Sequence, residues 1–342
     1  MNEIYTGIVL VDYNSWKRTI KYIQDISTAS NIHIDIMVVV DNSDDDQNYE
    51  NLCSEFQVEK CEHFFKVDGV AVIKQCHFKE MQIVLVKASY NLGFAKANNL
   101  GCRIIDRFTK ELDKVKRIST KEHFRYVLIS NSDILFPDNK LDLDSMIRYM
   151  QQDKKILVTG PNVTGVDGVP QSPCKFMTIY ERYWIPYLFW PLGRMIARNN
   201  KKASEVLIPQ PDKTMDVYRL IGAFMLVDLD NFLDIGGFDE STFLFAEELI
   251  LSERARKYGM RICYLPDIKV IHEEGFTIKK TGEAYYHKLR MMLESNLYYY
   301  KEYLNVNEGI IKATRLIVKA YVVKKKYLEK ITSLFHRCIK LI

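Results

Sequence analysis

The chain has 342 residues, 48 Lys plus Arg against 44 Asp plus Glu, a net charge of +4 and 47% hydrophobic residues, which excludes wholesale disorder, a collagen-like repeat and a disulfide-stapled miniprotein. Seven cysteines (53, 61, 76, 102, 174, 263 and 338) are odd in number and include no CxxC pair, which speaks against a disulfide framework or thiolate zinc site and for a reducing compartment. The apolar run after Glu3 is too short for a signal h-region, and the longest nearly uncharged stretch, 183–193, contains Pro186 and Pro191 and is about half of the ~20 residues a spanning helix needs, so neither export nor a membrane span is expected.

IYTGIVLVD (4–12), HIDIMVVVD (33–41), MQIVLVK (81–87) and FRYVLIS (124–130) are rich in Val, Ile and Leu and lack a period of two, as strands covered on both faces do. Between them, Trp16, Ile20, Ile23 and Ile26 mark one amphipathic helix. Phe94, Ala97, Leu100, Ile104, Phe108, Leu112 and Val115 mark another. This alternation predicts an α/β fold with an open, mostly parallel, Rossmann-like central sheet, flanking helices and ligands at the carboxyl ends of the strands. Asp12 and Asp41 stand at two of those ends. Residues 59–80 and 106–124 are charged and weakly periodic, and read as surface insertions or a helix extension without chemistry. From 160 to 211 the chain is rich in Pro, Tyr and Trp, which predicts a long irregular region over the site. RLIGAFMLVD (219–228) returns as a strand, then come a Gly236-Gly237 turn, a helix over 246–258, and strands RICYL and IKVIH.

The last segment is different in charge. From 311 to 342 nine Lys or Arg stand against Glu329 alone, +8, so the remainder of the chain carries −4. Ile311, Leu316, Ile317, Ala320, Val323, Tyr327, Leu328, Ile331 and Leu334 recur at helical spacing, which predicts a basic amphipathic helix suited to an anionic membrane surface. Packing on the protein's own core or on a second copy in a homodimer explains the same stripe. The expected division is a domain over 1–275 and a helical region over 276–342.

No GxxxxGK[ST], no GxGxxG after the first strand and no GxSxG elbow is present, so kinase, nucleotide-hydrolase, dinucleotide-oxidoreductase and serine-hydrolase readings fall. What remains is acids at strand ends and one histidine. VLISNSD delivers Asn131, Ser132 and Asp133 to a strand end. Hard oxygen ligands there suit Mg2+ or Mn2+ on a diphosphate, although a turn or cap Asp reads the same alone. His272 ends IKVIH and is a further candidate ligand or a structural histidine. Glu247 and Glu248 open a helix, where the dipole favours their ionised forms. Projecting about 100° apart, one can act as general base while the other holds structure. In NLGFAKANN, Gly93 opens a helix whose amides, with Lys96 and Asn98, could approach a phosphate or ribose. A close strand-to-helix turn is the simpler alternative.

Taken together, VDYN, VVVDNS, NLGFAKANN, SNSD, GGFDESTFLFAEELILSER and His272 resemble, across roughly residues 5 to 275, the inverting glycosyltransferases of family 2 on the nucleotide-sugar-binding GT-A fold. The likeness is strongest to rhamnosyltransferase-like and capsule or cell-wall polysaccharide enzymes. It implies that Asp12, with Tyr13, and Asp41 contact the nucleoside, that Asn91, Gly93, Lys96, Asn131 and Ser132 line the donor, and that Asp133 and His272 hold Mn2+ or Mg2+ on the diphosphate. Glu248 falls on the family's base position, with Glu247 second. The family's usual Glu-Asp pair is Glu247-Glu248 here, and the acid two residues later is Ile250.

The implied partners are a nucleotide-sugar donor, either deoxythymidine-diphosphate-rhamnose or uridine-diphosphate-hexose, and a glycan or lipid-linked oligosaccharide acceptor at the cytoplasmic face of the membrane. The aromatic stretch (Tyr180, Tyr183, Trp184, Phe189, Trp190) and the tail 311–342 fit that setting, and core or dimer packing explains the aromatics equally. A sugar-phosphate nucleotidyltransferase would carry a glycine-rich basic loop after the first strand, and VDYNSWKRT has no glycine. A degenerate, non-catalytic transferase that binds nucleotide-sugar or docks an assembly on the membrane is the remaining alternative. Nucleic acid is not expected, because the body is net negative and the aromatics do not alternate with basic residues.

Overall fold

The structure is a computed structural model and describes residues 4–56, 58–60, 69–116, 124–188, 205–207, 210–273 and 283–339. The chain forms two compact units, one of Met1–Cys174, Gln210–Phe243 and Glu247–Gly275, the other of Lys175–Pro209, Leu244–Ala246 and Phe276–Ile342.

In the first unit the strands are β1 (Ile4–Asp12), β2 (Ile36–Asp41), β3 (Glu59–Lys60), β4 (Val70–Phe78), β5 (Met81–Ala88), β6 (Phe124–Ser130), β7 (Ile134–Leu135), β8 (Ile156–Thr164), β9 (Met215–Asp216), β10 (Phe224–Asp228) and β11 (Arg261–His272). The helices are α1 (Trp16–Ala29), α2 (Gln47–Ser54), α3 (Gly93–Lys116), α4 (Leu143–Gln151), α5 (Leu229–Asp234) and α6 (Glu247–Lys257). One sheet runs β3-β4-β5-β2-β1-β6-β10-β8-β11-β7, with β9 also on β11. Its centre, β5-β2-β1-β6, is parallel, and β10 joins β6 antiparallel.

Alternate residues of the central strands fill opposite layers, which is why their sequences read as continuous apolar runs. Ile8, Leu10, Met37 and Val39 pack with Ile23 and Ile26 of α1, Leu52 of α2 and Met146 and Met150 of α4. Val9, Ile36, Val38 and Val40 face the other way, onto Ala97, Leu100 and Ile104 of α3, Phe232 of α5 and Leu251 of α6. Each such aliphatic side chain contributes about 1.5–3 kcal/mol of burial, so the central register is strongly set. Asp12 and Asp41 lie side by side at its carboxyl end.

Two expectations change. Within 59–80, expected to be a surface insertion, β3 and β4 add antiparallel to β5 and form the sheet edge. Only Ile73 and Cys76 of β4 are buried, so an edge strand of this kind lacks the apolar density that marks the central ones. The two strands expected at 261–272 are one, β11, whose register on β8 is interrupted between Leu265 and Lys269, at Pro266, which has no amide to donate.

In the second unit a π-helical segment (Tyr180–Leu188) meets α7 (Glu283–Glu302) and α8 (Glu308–Ile339). Asn296 donates to the Tyr183 hydroxyl at 2.7 Å, the Trp184 indole N–H to Thr314 Oγ1 at 2.8 Å, and the Tyr187 ring meets Tyr321 at 4.8 Å between centroids. The described parts of the stretch 160–211 include the end of β8 and the Tyr180–Leu188 segment, which packs on α7 and α8 in the second unit. Phe189 and Trp190 lie outside the described residues. Among the described residues no helix is long and apolar enough to cross a membrane.

Candidate active site

Two carboxylates at adjacent strand ends repel unless donors or cations surround them. Asp12 and Asp41 have no exposed surface, and Asn48 of α2 bridges them, donating to both at 2.7 and 2.8 Å. Asp12 also accepts from the Ser15 amide at 3.0 Å and from the Thr19 hydroxyl. Burial pushes its carboxyl above the usual carboxylate range, the bonds from Thr19, Ser15 and Asn48 oppose that, and the charge of Asp41 adds to it. Asp41 accepts from Ser43 Oγ at 2.6 Å and pairs with the buried Lys87 ammonium at 3.0 Å, which also donates to the carbonyls of Ser43, at 2.8 Å, and Asp45. As placed, both acids brace the turn over 42–48 and turn no oxygen to solvent. The half-exposed Tyr13, hydrogen-bonded to Asp44 at 2.9 Å, does reach the surface.

The NLGF turn is braced in the same way. Asn91 Oδ1 accepts from Asn42 Nδ2 at 2.9 Å and from the Gly93 amide at 3.0 Å. Gly93 has φ +75°, and a Cβ there would lie 2.1 Å from the Phe243 carbonyl oxygen, which accepts the Phe94 amide. This position requires glycine, so the turn reading holds for the backbone of Asn91 and Gly93. Asn99 exchanges two hydrogen bonds with the Phe238 backbone and donates to Glu240 at 3.0 Å, while Arg103 pairs with Glu240 at 2.9 Å. The second half of NLGFAKANN thus clamps the GGFDESTF loop. Asn98 is buried and donates to the Phe94 carbonyl, and Lys96 lies beside Tyr90, 2.9 Å from its hydroxyl.

Asp133 and His272 come together. The two-residue strand β7, directly after Asp133, pairs antiparallel with the end of β11, His272 opposite Ile134. The Asp133 carbonyl accepts the Glu273 amide at 2.8 Å. His272 Nε2 then lies 3.2 Å from Asp133 Oδ1, and Nδ1 lies 2.7 Å from Gln171 Oε1. An amide oxygen only accepts, so Nδ1 carries a proton towards Gln171 and Nε2 is the ring nitrogen that faces the carboxylate. Asp133 Oδ1 is buried and accepts no hydrogen bond among the described residues. Two cis ligands of an octahedral Mg2+ or Mn2+ stand roughly 3.0 Å apart, close to the 3.2 Å between Nε2 and Oδ1, a separation that a direct Nε2–H bond to the carboxylate also gives. The pair therefore fits a divalent ion. Among the described residues no cluster of three metal-ligating side chains forms.

Asn131 ties this centre to α6. Its amide donates to the Ala223 carbonyl at 2.9 Å, and the neighbouring Gly222 amide donates to Glu248 Oε1 at 2.8 Å. A Cβ on Gly222 would stand 2.7 Å from that oxygen, so a side chain there would displace the carboxylate. Glu248 is 19% exposed, with Oε2 3.9 Å from Arg219, whereas Glu247 is buried. Of the two glutamates, Glu248 is partly exposed and Glu247 is buried. Ser132 follows Asn131 as a partly exposed turn residue.

Sequence reasoning missed Asn48, Lys87, Gln171, Arg219 and Arg18, whose guanidinium lies 3.9 Å from Asp133 Oδ2. Arg18 carried a signal, a cation one turn into the helix that follows the first strand-end acid. Lys87 carried one too, as a charge at the end of an otherwise apolar strand.

No family model matches the chain. Two curated relatives, each named N-acetylglucosaminyl-diphospho-decaprenol L-rhamnosyltransferase, come from Mycobacterium tuberculosis strains CDC 1551 / Oshkosh and ATCC 25618 / H37Rv. Both are 25% identical over 154 residues, 44% of this chain and 47% of theirs, so the chain spans about half the length of the curated relatives it matches. Among solved structures, GalNAc-T7 with UDP, GalNAc and Mn2+ superposes with a TM-score of 0.52 at 11% identity, covering 93% of this chain and 55% of that one. At that identity the likeness shows the fold. The chain has the GT-A type α/β fold, and in sequence it resembles the glycosyltransferases of family 2.

Proposed function

We propose that the protein is a divalent-metal-dependent, inverting glycosyltransferase that moves a sugar from a nucleoside-diphosphate donor to a hydroxyl of a glycan or lipid-linked oligosaccharide in bacterial surface polysaccharide synthesis. The observation that supports it most is the Asp133–His272 pair, 3.2 Å apart at the end of β6 and linked through Asn131, Ala223 and Gly222 to the carboxylate of Glu248. The relatives' names favour rhamnose as the sugar and a diphospho-polyprenol glycan as the acceptor.

In this reading Asp133 and His272 would hold Mn2+ or Mg2+, which neutralises the charge that develops on the departing diphosphate and removes the need for a protein acid. Arg18, beside Asp133, adds a fixed positive charge on the same side. Glu248 takes the proton from the acceptor hydroxyl as that oxygen attacks the anomeric carbon opposite the leaving group, which inverts configuration. The Gly222 amide fixes the Glu248 carboxylate through Oε1, and Oε2, 3.9 Å from the Arg219 guanidinium, is the oxygen that would take the proton. Asn91, Gly93, Lys96 and Ser132 line the donor, with Tyr13 presented to the nucleoside and Asp12 and Asp41 holding that end of the site. A lipid-linked acceptor also places the enzyme peripherally at the cytoplasmic membrane face, with the tail as its contact.

A panel of nucleotide-sugars with Mn2+, read by mass spectrometry, tests this. Slow hydrolysis of one donor, abolished by a chelator, is expected. Glu248→Gln should keep donor binding and lower transfer by about 10²–10⁴-fold. Unchanged turnover removes Glu248 as the base, and donor binding without turnover in the native chain favours a non-catalytic transferase.

A further inference from the structure

The sequence offers one apolar stripe on the tail helix, and the structure resolves it into two. Ile311, Thr314, Val318 and Tyr321 are buried within the second unit, against the π-helical segment through Trp184 and Tyr187. Leu316, Val323 and Tyr327 are 66%, 62% and 66% exposed. At about 100° per residue these three lie within about 40° of one another and point away from the buried four. Ala320 and Ile331 extend the outer stripe along one side, and Lys312, Lys319 and Lys330 run along the other, all exposed. Lys326 and Arg315 point elsewhere, to Glu283 at 2.7 Å and Glu294 at 2.8 Å, and Lys325 lies over the Tyr285 ring. A surface helix that packs by one face ordinarily presents a polar one outward.

We infer that this outward face of α8, with Leu316, Val323 and Tyr327 inserted between the lysines, docks the protein on an anionic lipid surface. The inference deepens the proposed function and rests on its membrane-bound acceptor for its purpose, but not on the catalytic site. Charge selects the occupant. A second copy meeting through the same face would bring Lys312, Lys319 and Lys330 of both chains together, whereas anionic headgroups pair with the lysines while the acyl boundary takes the apolar side chains. Tyr327 suits that boundary, with an apolar ring and a polar tip.

Sedimentation of the full chain with vesicles of phosphatidylcholine containing phosphatidylglycerol, and of phosphatidylcholine alone, tests this. The native chain should pellet with the anionic vesicles, less so as salt rises, and stay in solution with the neutral ones. Combining Lys312→Gln, Lys319→Gln and Lys330→Gln should lower partition about a hundred-fold, from about five-fold per lysine. Combining Leu316→Ser, Val323→Ser and Tyr327→Ser should abolish it, with the circular dichroism spectrum and solution donor hydrolysis unchanged. Tyr327→Trp, read by added quenching from brominated lipid, tests the same contact without removing a side chain. Equal binding to neutral vesicles, native-like binding by either triple variant, no lipid quenching of Tyr327→Trp, or a Leu316-dependent dimer that ignores vesicles would each overturn the inference. Vesicle binding with no donor turned over would overturn the transferase reading and leave the docking face standing.

Discussion

Lys87→Met isolates the interaction that permits two buried carboxylates to adjoin at the end of the central sheet. Methionine keeps most of the apolar stem and removes the ammonium, which pairs with Asp41 at 3.0 Å and donates to the Ser43 and Asp45 carbonyls. Asp41 then keeps its bonds from Ser43 and Asn48 but has no counter-charge, with the Asp12 carboxylate on the adjacent strand. Breaking a buried pair on one side costs about 3–5 kcal/mol, because the remaining charge is uncompensated. The Asp46 carboxylate, 3.8 Å away and exposed, adds little. Urea unfolding at neutral pH, followed by circular dichroism, should therefore show a loss of about 3–5 kcal/mol for Lys87→Met. Adding Asp41→Asn removes the stranded charge and should recover at least half of the loss. A cost below about 1 kcal/mol for the single variant, the range of exposed pairs, or no recovery in the double variant, would refute the electrostatic account of this corner.

Gln171→Leu should weaken Mn2+ binding about ten- to a hundred-fold, the range for removing a metal-bound histidine's second partner, while Gln171→Glu, which still accepts from Nδ1, should not; titration followed by the Mn2+ electron paramagnetic resonance signal decides, and equal affinities in all three chains would remove Gln171 as the group that orients His272. Asp228 caps α5 by accepting the Asn231 amide at 2.9 Å, and burial pushes its carboxyl from the ordinary 3.8 up to about 6. The folded state thus holds that proton more tightly than the unfolded one, so the stability it contributes is complete below pH 3.8 and is lost as pH rises through about 6. Asp228→Asn, which keeps an acceptor for the cap, should stabilise the protein at pH 7.5 by up to roughly 3 kcal/mol and hardly at all at pH 4. Thermal melts at the two pH values check this, and an equal difference at both would refute the burial account.

Much of the fold was legible because its centre is buried on both faces. The runs 4–12, 33–41, 81–87 and 124–130 read as strands of a covered sheet because they are short, continuous and rich in Val and Ile. The helix start at Glu247 was readable from its paired acids, and Gly93 from its place between strand and helix. Edge strand β4 was not, because half-exposed positions carry charge as loops do. Pairing between distant segments was beyond local pattern as well. Asp133 and His272 stand 139 positions apart, and only the antiparallel pairing of β7 with the end of β11 sets their side chains together. The burial of Asp12 and Asp41 behind Asn48 and Lys87, and the division of the tail helix into a packed and an outward face, are likewise tertiary outcomes. Local sequence determines which residues are apolar, charged or turn-forming; which of them lose contact with water, and which charges meet, follows from the closure of the sheet and the packing of its helices.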